Sequence, residues 1–226
     1  MFTAFFVSGA NLLLAEAALL GVWAPLQGLF TAIRVRSTYG ELDGFSPVNW
    51  RLHAAGRLAR ALIVPATALT LVSAAIAFAM RTSLDAGVIW RAHAILWAAA
   101  LALMALGAAC SAAFGESLDA AACAVGLALL ATAGLFAAGP ALDSVPRALL
   151  DGALTVNPIV ATAAAANVDI FRMEPLYRLS PIAHRPIEYP DPTTAFVTQM
   201  AIAVILTMCV RGPSRTRTLS PERTSA

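Results

Sequence analysis

The sequence predicts an all-α, polytopic membrane helix bundle of about five transmembrane helices, with a polar cytoplasmic segment between the first two and an outer loop holding short helices of its own. Composition is the first reason. Apolar residues make up 59% of 226 and charged residues only 12%, where an average soluble domain carries roughly 25% charge; mean hydropathy is +0.76. Run length is the second. Apolar runs at 5–33, 58–80, 88–114, 118–139 and 193–210 approach the ~20 residues that cross a ~30 Å hydrocarbon core. Third, the longest polar stretch of the first half, residues 37–60, lies between two of these runs.

The first run lacks a basic leading region and is longer than a signal-peptide core, so it is expected to stay in the mature protein. It contains Glu16. A carboxylate inside a spanning helix is costly and faces a partner or a cavity, which makes Glu16 a candidate pathway residue or interhelix polar contact. Pro25 and Pro65 lie inside the first and second runs and are expected to kink them. Within residues 37–60, Ser46 reads as a helix cap and Pro47 as a first helical position. Trp50 and Leu52 offer apolar surface among Asn49, Arg51 and His53, and Gly56 allows a bend into the second spanning helix. A short amphipathic helix over 46–56 follows, whose simplest role is to lie on lipid headgroups with Trp50 as anchor.

Glu116 and Asp119 mark a tight solvated turn between the third and fourth runs, and Asp119 is a candidate cap. The loop at 140–192 is too long for a plain connector. Its Asn157-Pro158 pair reads as a helix start, with asparagine capping free N–H groups and proline at the first position. Two short helices that dip into the outer membrane face are expected there, followed by proline-rich chain. The tail "RGPSRTRTLSPERTSA" has no apolar periodicity. Residues 1–212 are thus expected to form one transmembrane domain, with its cytoplasmic segment at 34–57 and outer loop at 140–192, and residues 213–226 a disordered cytoplasmic end.

Orientation follows the arginines, since basic loops stay cytoplasmic. All 15 basic residues are arginine. Five spans place Arg34, Arg36, Arg51, Arg57, Arg60 and the four tail arginines on one side, nine against six. The N-terminus is expected outside and the C-terminus in the cytoplasm of a bacterial inner membrane.

Cys110, Cys123 and Cys209 have no metal-ligand spacing and read as small buried hydrophobes; no metal site is expected. The three histidines, His53, His93 and His184, form no facing pair for haem. His184, Glu188, Tyr189 and Asp191 lie together in sequence, but a proline-rich loop of this kind reads as scaffold, so no catalytic residues are assigned. The net charge of +2 points to no particular partner, and nucleic acid is not expected among them.

The order of residues in "AIRVRSTYGELDGFSPVNWRLHAAGRLARAL" resembles the cytoplasmic motif of ABC-2 type transporter permeases: a charged helix end, a Gly-Thr-Leu-Glu-like stretch at Thr38-Tyr39-Gly40-Glu41, a Ser46-Pro47 pair, and Gly56-Arg57 opening the next helix. Asn157-Pro158 ahead of the last helix is similar to a pair in that family's outer loop. The resemblance covers about residues 15–210 and lacks the family's usual first helix. It implies that Glu41, Ser46, Pro47, Trp50, Arg51, Gly56 and Arg57 form a coupling helix against a separate ABC ATPase subunit. It also implies a second permease, in a homo- or heterodimer. The chain has no Walker A motif or other phosphate cradle, so ATP is expected to be bound and hydrolysed by the partner; this chain is expected to be neither enzyme nor cofactor carrier. The alternative is a non-catalytic docking subunit of another bacterial membrane complex.

Overall fold

A computed structural model describes residues 9–39, 47–79, 85–173 and 187–210. It is all-helical, with no strand among these residues: α1 (Gly9–Tyr39), α2 (Pro47–Ala79), α3 (Ala86–Ala113), α4 (Ser117–Ala137), α5 (Arg147–Val156), α6 (Pro158–Ala165) and α7 (Pro192–Cys209). Short 3-10 turns at Gly139–Ser144 and Ile170–Arg172 complete it. Five helices, α1 to α4 and α7, are long and apolar enough to cross a bilayer. The chain is a membrane-embedded helical bundle.

Helix α3 is the axis, packed by α1, α7, α2, α4 and α6. Its sequence is nearly free of polar residues on every side, as a helix surrounded by others requires. Lipid-exposed faces belong to α1, α2, α4 and α7, where Leu19, Ile63, Val64, Leu130 and Ile205 stand uncovered. At what we term the lower end, Ala32, Ala54, Leu58, Ala105, Ala108 and Val210 share one core cluster. The end of α1, the start of α2, the end of α3 and the end of α7 therefore meet there. Arg36 closes this end by donating from Nη1 to the Ser111 carbonyl at 2.5 Å, a cation on the last turn of α3. At the upper end Leu13, Ala17, Val88, Ala92, Ala161 and Ala195 form a second cluster.

The segment at 140–192 holds two helices among its described residues, as its sequence predicts. Helices α5 and α6 meet at an 80° bend centred on Asn157. Its Oδ1 accepts from the N–H groups of Ile159 and Val160, and its Nδ2 donates to the Ala131 and Thr132 carbonyls of α4. All four hydrogen-bonding positions of the amide are filled. Gln199 of α7 holds the other side, donating to the Val156 carbonyl at 2.6 Å. Helix α6 stops at Asn167, whose φ of 56° lets the Val168 N–H reach back to the Ala163 carbonyl at 2.9 Å, a left-handed stop that asparagine tolerates.

Two expectations are corrected. No separate helix ends at Gly56, because α2 runs unbroken from Pro47 to Ala79; the alanine- and leucine-rich stretch after Gly56 propagates the helix, and nothing crowds that glycine. Asp119 sits in the first turn of α4 but does not cap it: Glu116 holds the cap position, without a side-chain bond to the helix. Pro25 and Pro65 lie inside unbroken helical spans.

Candidate functional site

Glu16 is seven residues into α1, His93 seven residues into α3, and Ser73 six residues before the end of α2. These offsets, about 10 Å at 1.5 Å per residue, put all three at one depth below the upper end. They meet. Ser73 Oγ donates to Glu16 Oε1, and Glu16 Oε2 lies 3.2 Å from His93 Nε2. Glu16, Ser73 and His93 are 4%, 2% and 0% exposed.

The protonation of this cluster follows from its contacts. His93 Nδ1 lies 2.8 Å from the Ile89 carbonyl, which accepts only, so Nδ1 carries a hydrogen. Nε2 and Oε2 are then both bare acceptors, and neither has another partner. One further proton between them turns their contact into a hydrogen bond, either as imidazolium on carboxylate or as carboxylic acid on neutral imidazole. Both forms are neutral overall, the condition under which an acid is tolerated in a bilayer.

Beside the cluster lies a cavity of about 320 Å³ between α1, α2 and α3. Trp23, Leu62, Pro65, Leu69 and Trp97 line it, and Glu16 is the one charged residue of its wall. The Trp97 indole N–H is buried and has no partner among the described residues.

The residues expected to form a coupling surface are distributed differently. Glu41 and Ser46 lie outside the described residues. Pro47 opens α2, Arg57 is exposed, and Gly56 has open space where a side chain would be. Trp50, expected as an exposed anchor, is 4% exposed; the first turns of α2 present Leu52 outward instead, at 68%. Arg51 and Leu52 line a groove of about 330 Å³ against Met200, Val204 and Met208 of α7.

All three cysteines line one lower-end cavity. Cys110 is buried, Cys209 is exposed, and the Cys110 and Cys123 sulfurs stand 3.9 Å apart. The expectation of small buried groups thus fails for Cys209, which is exposed at the end of α7 on the wall of that cavity. No group of three metal-ligating side chains is placed to hold an ion among the described residues. In the outer loop, Glu188 pairs with Arg147 at 2.6 Å and the Asp191 carboxylate caps α7 at Thr194. Tyr189 donates to Asp169 at 2.7 Å. These are scaffold contacts, and His184 lies outside the described residues.

Of Glu16, Ser73 and His93, only Glu16 stands out in the sequence; His93 reads there as an unpaired haem ligand, and Ser73 as an ordinary polar residue in an apolar run. The usable signal was depth: an acid and a base at equal distance from the same ends of two apolar helices.

The site defines a polytopic helical membrane protein with a buried acid–base pair at the head of an apolar cavity. No protein-family model, curated protein or solved structure matches the chain.

Proposed function

We propose that the chain is the membrane-spanning permease subunit of an ATP-driven ABC-2 type transporter. It works with a separate ATPase subunit and a second permease, in a bacterial inner membrane with the N-terminus outside and the C-terminus cytoplasmic. The observation that carries this reading is the shape of α2. With 33 residues it is about 50 Å long, longer than the ~30 Å hydrocarbon core. It also starts about two turns ahead of Ala54, the first of its residues in the lower core cluster.

Those two turns are a rigid extension of a spanning helix, not a hinged appendage. A push on them from an ATPase moves α2 as a whole, and with it one wall of the cavity beside Glu16. The break at Asn157, fastened to α4 and α7, holds the opposite end of the bundle in register. Coupling thus passes through a lever continuous with the membrane helix. Its contact residue is Leu52 rather than Trp50, whose indole is spent on internal packing.

The test is affinity purification of the tagged chain from its native membrane. Wild type should bring down an ATPase subunit, and Leu52→Glu, at matched membrane expression, should lower its recovery. Loss of a central anchor costs at least about 2 kcal/mol, roughly thirtyfold in affinity. Trp50→Ala should instead lower the yield of folded protein. If wild type retains no ATPase, the permease reading fails and a docking subunit takes its place.

A further inference from the structure

We propose that the cavity between α1, α2 and α3 binds a hydrophobic monovalent cation, held by the Glu16 carboxylate in exchange for the proton that Glu16 and His93 share. This deepens the permease reading by naming a substrate class and rests on that reading for its transport meaning, while the binding step needs this chain alone.

The space fits a small molecule. Its volume of about 320 Å³ falls within the roughly 300–1,000 Å³ of ligand sites. Leu19, part of its wall, is 70% exposed, so the cavity opens sideways on the face that meets lipid, where a hydrophobic solute is already concentrated. Two of its lining residues, Trp23 and Trp97, carry indoles, the ring most favourable to a cation.

Charge decides the class. Glu16 is buried and needs one compensating positive charge. His93 supplies it while the shared proton is present. A cation in the cavity beside the Glu16 carboxylate supplies it equally well, and the exchange balances: the cation enters, Glu16 stays a carboxylate, and His93 is left neutral with Nδ1–H on the Ile89 carbonyl. One proton leaves. The cluster is neutral before and after, whereas an anion or a neutral solute gains nothing from Glu16. Among the described residues no other acid or arginine or histidine competes. The buried polar side chains that α2, α4 and α6 bring to this half are Thr70, Ser73, Thr132, Asn157 and Thr162, none of which titrates, and Asp85 and Arg91 at the start of α3 are exposed.

The experiment is equilibrium binding of radiolabelled tetraphenylphosphonium, and of benzyltrimethylammonium as a smaller cation, to the purified full chain in nanodiscs. At least one should bind saturably, about one per chain. Because one proton competes with one cation, affinity should rise by about tenfold per pH unit across the exchange range, with one proton released per cation bound. Glu16→Gln should weaken binding at least tenfold and abolish proton release, whereas Glu116→Gln, on the exposed α3–α4 turn, should match wild type. Saturable binding of neither cation, affinity independent of pH, or wild-type binding by Glu16→Gln would each overturn the proposal. If Glu16→Gln yields no monodisperse protein, the wild-type pH series decides alone. Recovery of the ATPase is scored on the same preparations. Lost cation binding with the ATPase retained removes this site only, and the reverse result removes the permease reading only.

Discussion

A Cβ on Gly28 would stand 1.9 Å from the carbonyl oxygen of Met104, so α1 and α3 touch backbone to backbone at this pair. Gly107 repeats the relation in reverse, 1.9 Å from the Pro25 carbonyl. Small residues at helix crossings permit this approach in membranes, where packing replaces the hydrophobic drive. Since the obstructing atoms are backbone, no rotamer change relieves the clash. Gly28→Ala and Gly107→Ala should each cost about 3 kcal/mol or more, the upper part of the overpacking range. Gly126→Ala, with nothing within 4 Å, should stabilise α4 by up to about 1 kcal/mol. Thermal unfolding in detergent separates them, and an unchanged midpoint for Gly107→Ala would contradict the crossing.

Asn157 offers a graded test of the α5–α6 bend. Asn157→Asp keeps the acceptor for Ile159 and Val160 but loses the donors to Ala131 and Thr132, whose carbonyls then face a carboxylate. Asn157→Ala loses both sets. Each buried group left unpaired costs about 1–3 kcal/mol. Both variants should therefore unfold at lower temperature and expose α6 to protease, which cuts near residue 157 faster than in wild type. Equal protection of wild type and Asn157→Ala would show that the bend does not depend on its cap.

Tyr189 carries a pH prediction. Burial, and secondarily its hydrogen bond to Asp169, push its hydroxyl well above the ordinary tyrosine range. The folded state thus keeps the proton after an unfolded chain has lost it near pH ~10. The stabilisation is complete below that pH and is lost as pH rises toward the folded-state value. Of the three tyrosines, one should form phenolate late in an alkaline absorbance titration. Tyr189→Phe should remove that late step and the hydrogen bond to Asp169, while keeping the ring contact to Phe171 at 6.1 Å, which in turn lies 5.7 Å from Phe136.

Topology can be read with fusions. A reporter placed after Val210 should report cytoplasm, and one inserted near Asp143 should report the outside. Arg36, Arg51, Arg57 and Arg60 lie on the lower-end segments of α1 and α2, as the positive-inside rule requires of that assignment. A cytoplasmic readout at Asp143 would invert the bundle and put Leu52 out of reach of any ATPase.

What could be read from the sequence was what is local. Asn157-Pro158 announces its own helix start, because cap and first turn are neighbours along the chain. Run lengths give the five spans for the same reason. The burial of Trp50 is not legible in the sequence because exposure depends on how α2 is rotated about its axis, which local pattern does not set; two residues on, Leu52 is the one uncovered. The Glu16–Ser73–His93 cluster spans three helices, and Gly28 and Gly107 look like any other glycines in apolar runs until the facing backbone is known.

Helix α6 has eight residues, far short of the ~20 needed to enter a bilayer on its own. The five long helices can each insert as they leave the ribosome and then associate, but α6 cannot. Its buried surface is made against α1, α3, α4, α5 and α7, and Gln199 of α7 ties down the residue just before its cap, Val156 at the end of α5. Helix α6 therefore reaches its depth by docking on helices that already cross the membrane rather than by inserting alone, and α7 locks the bend from the far side.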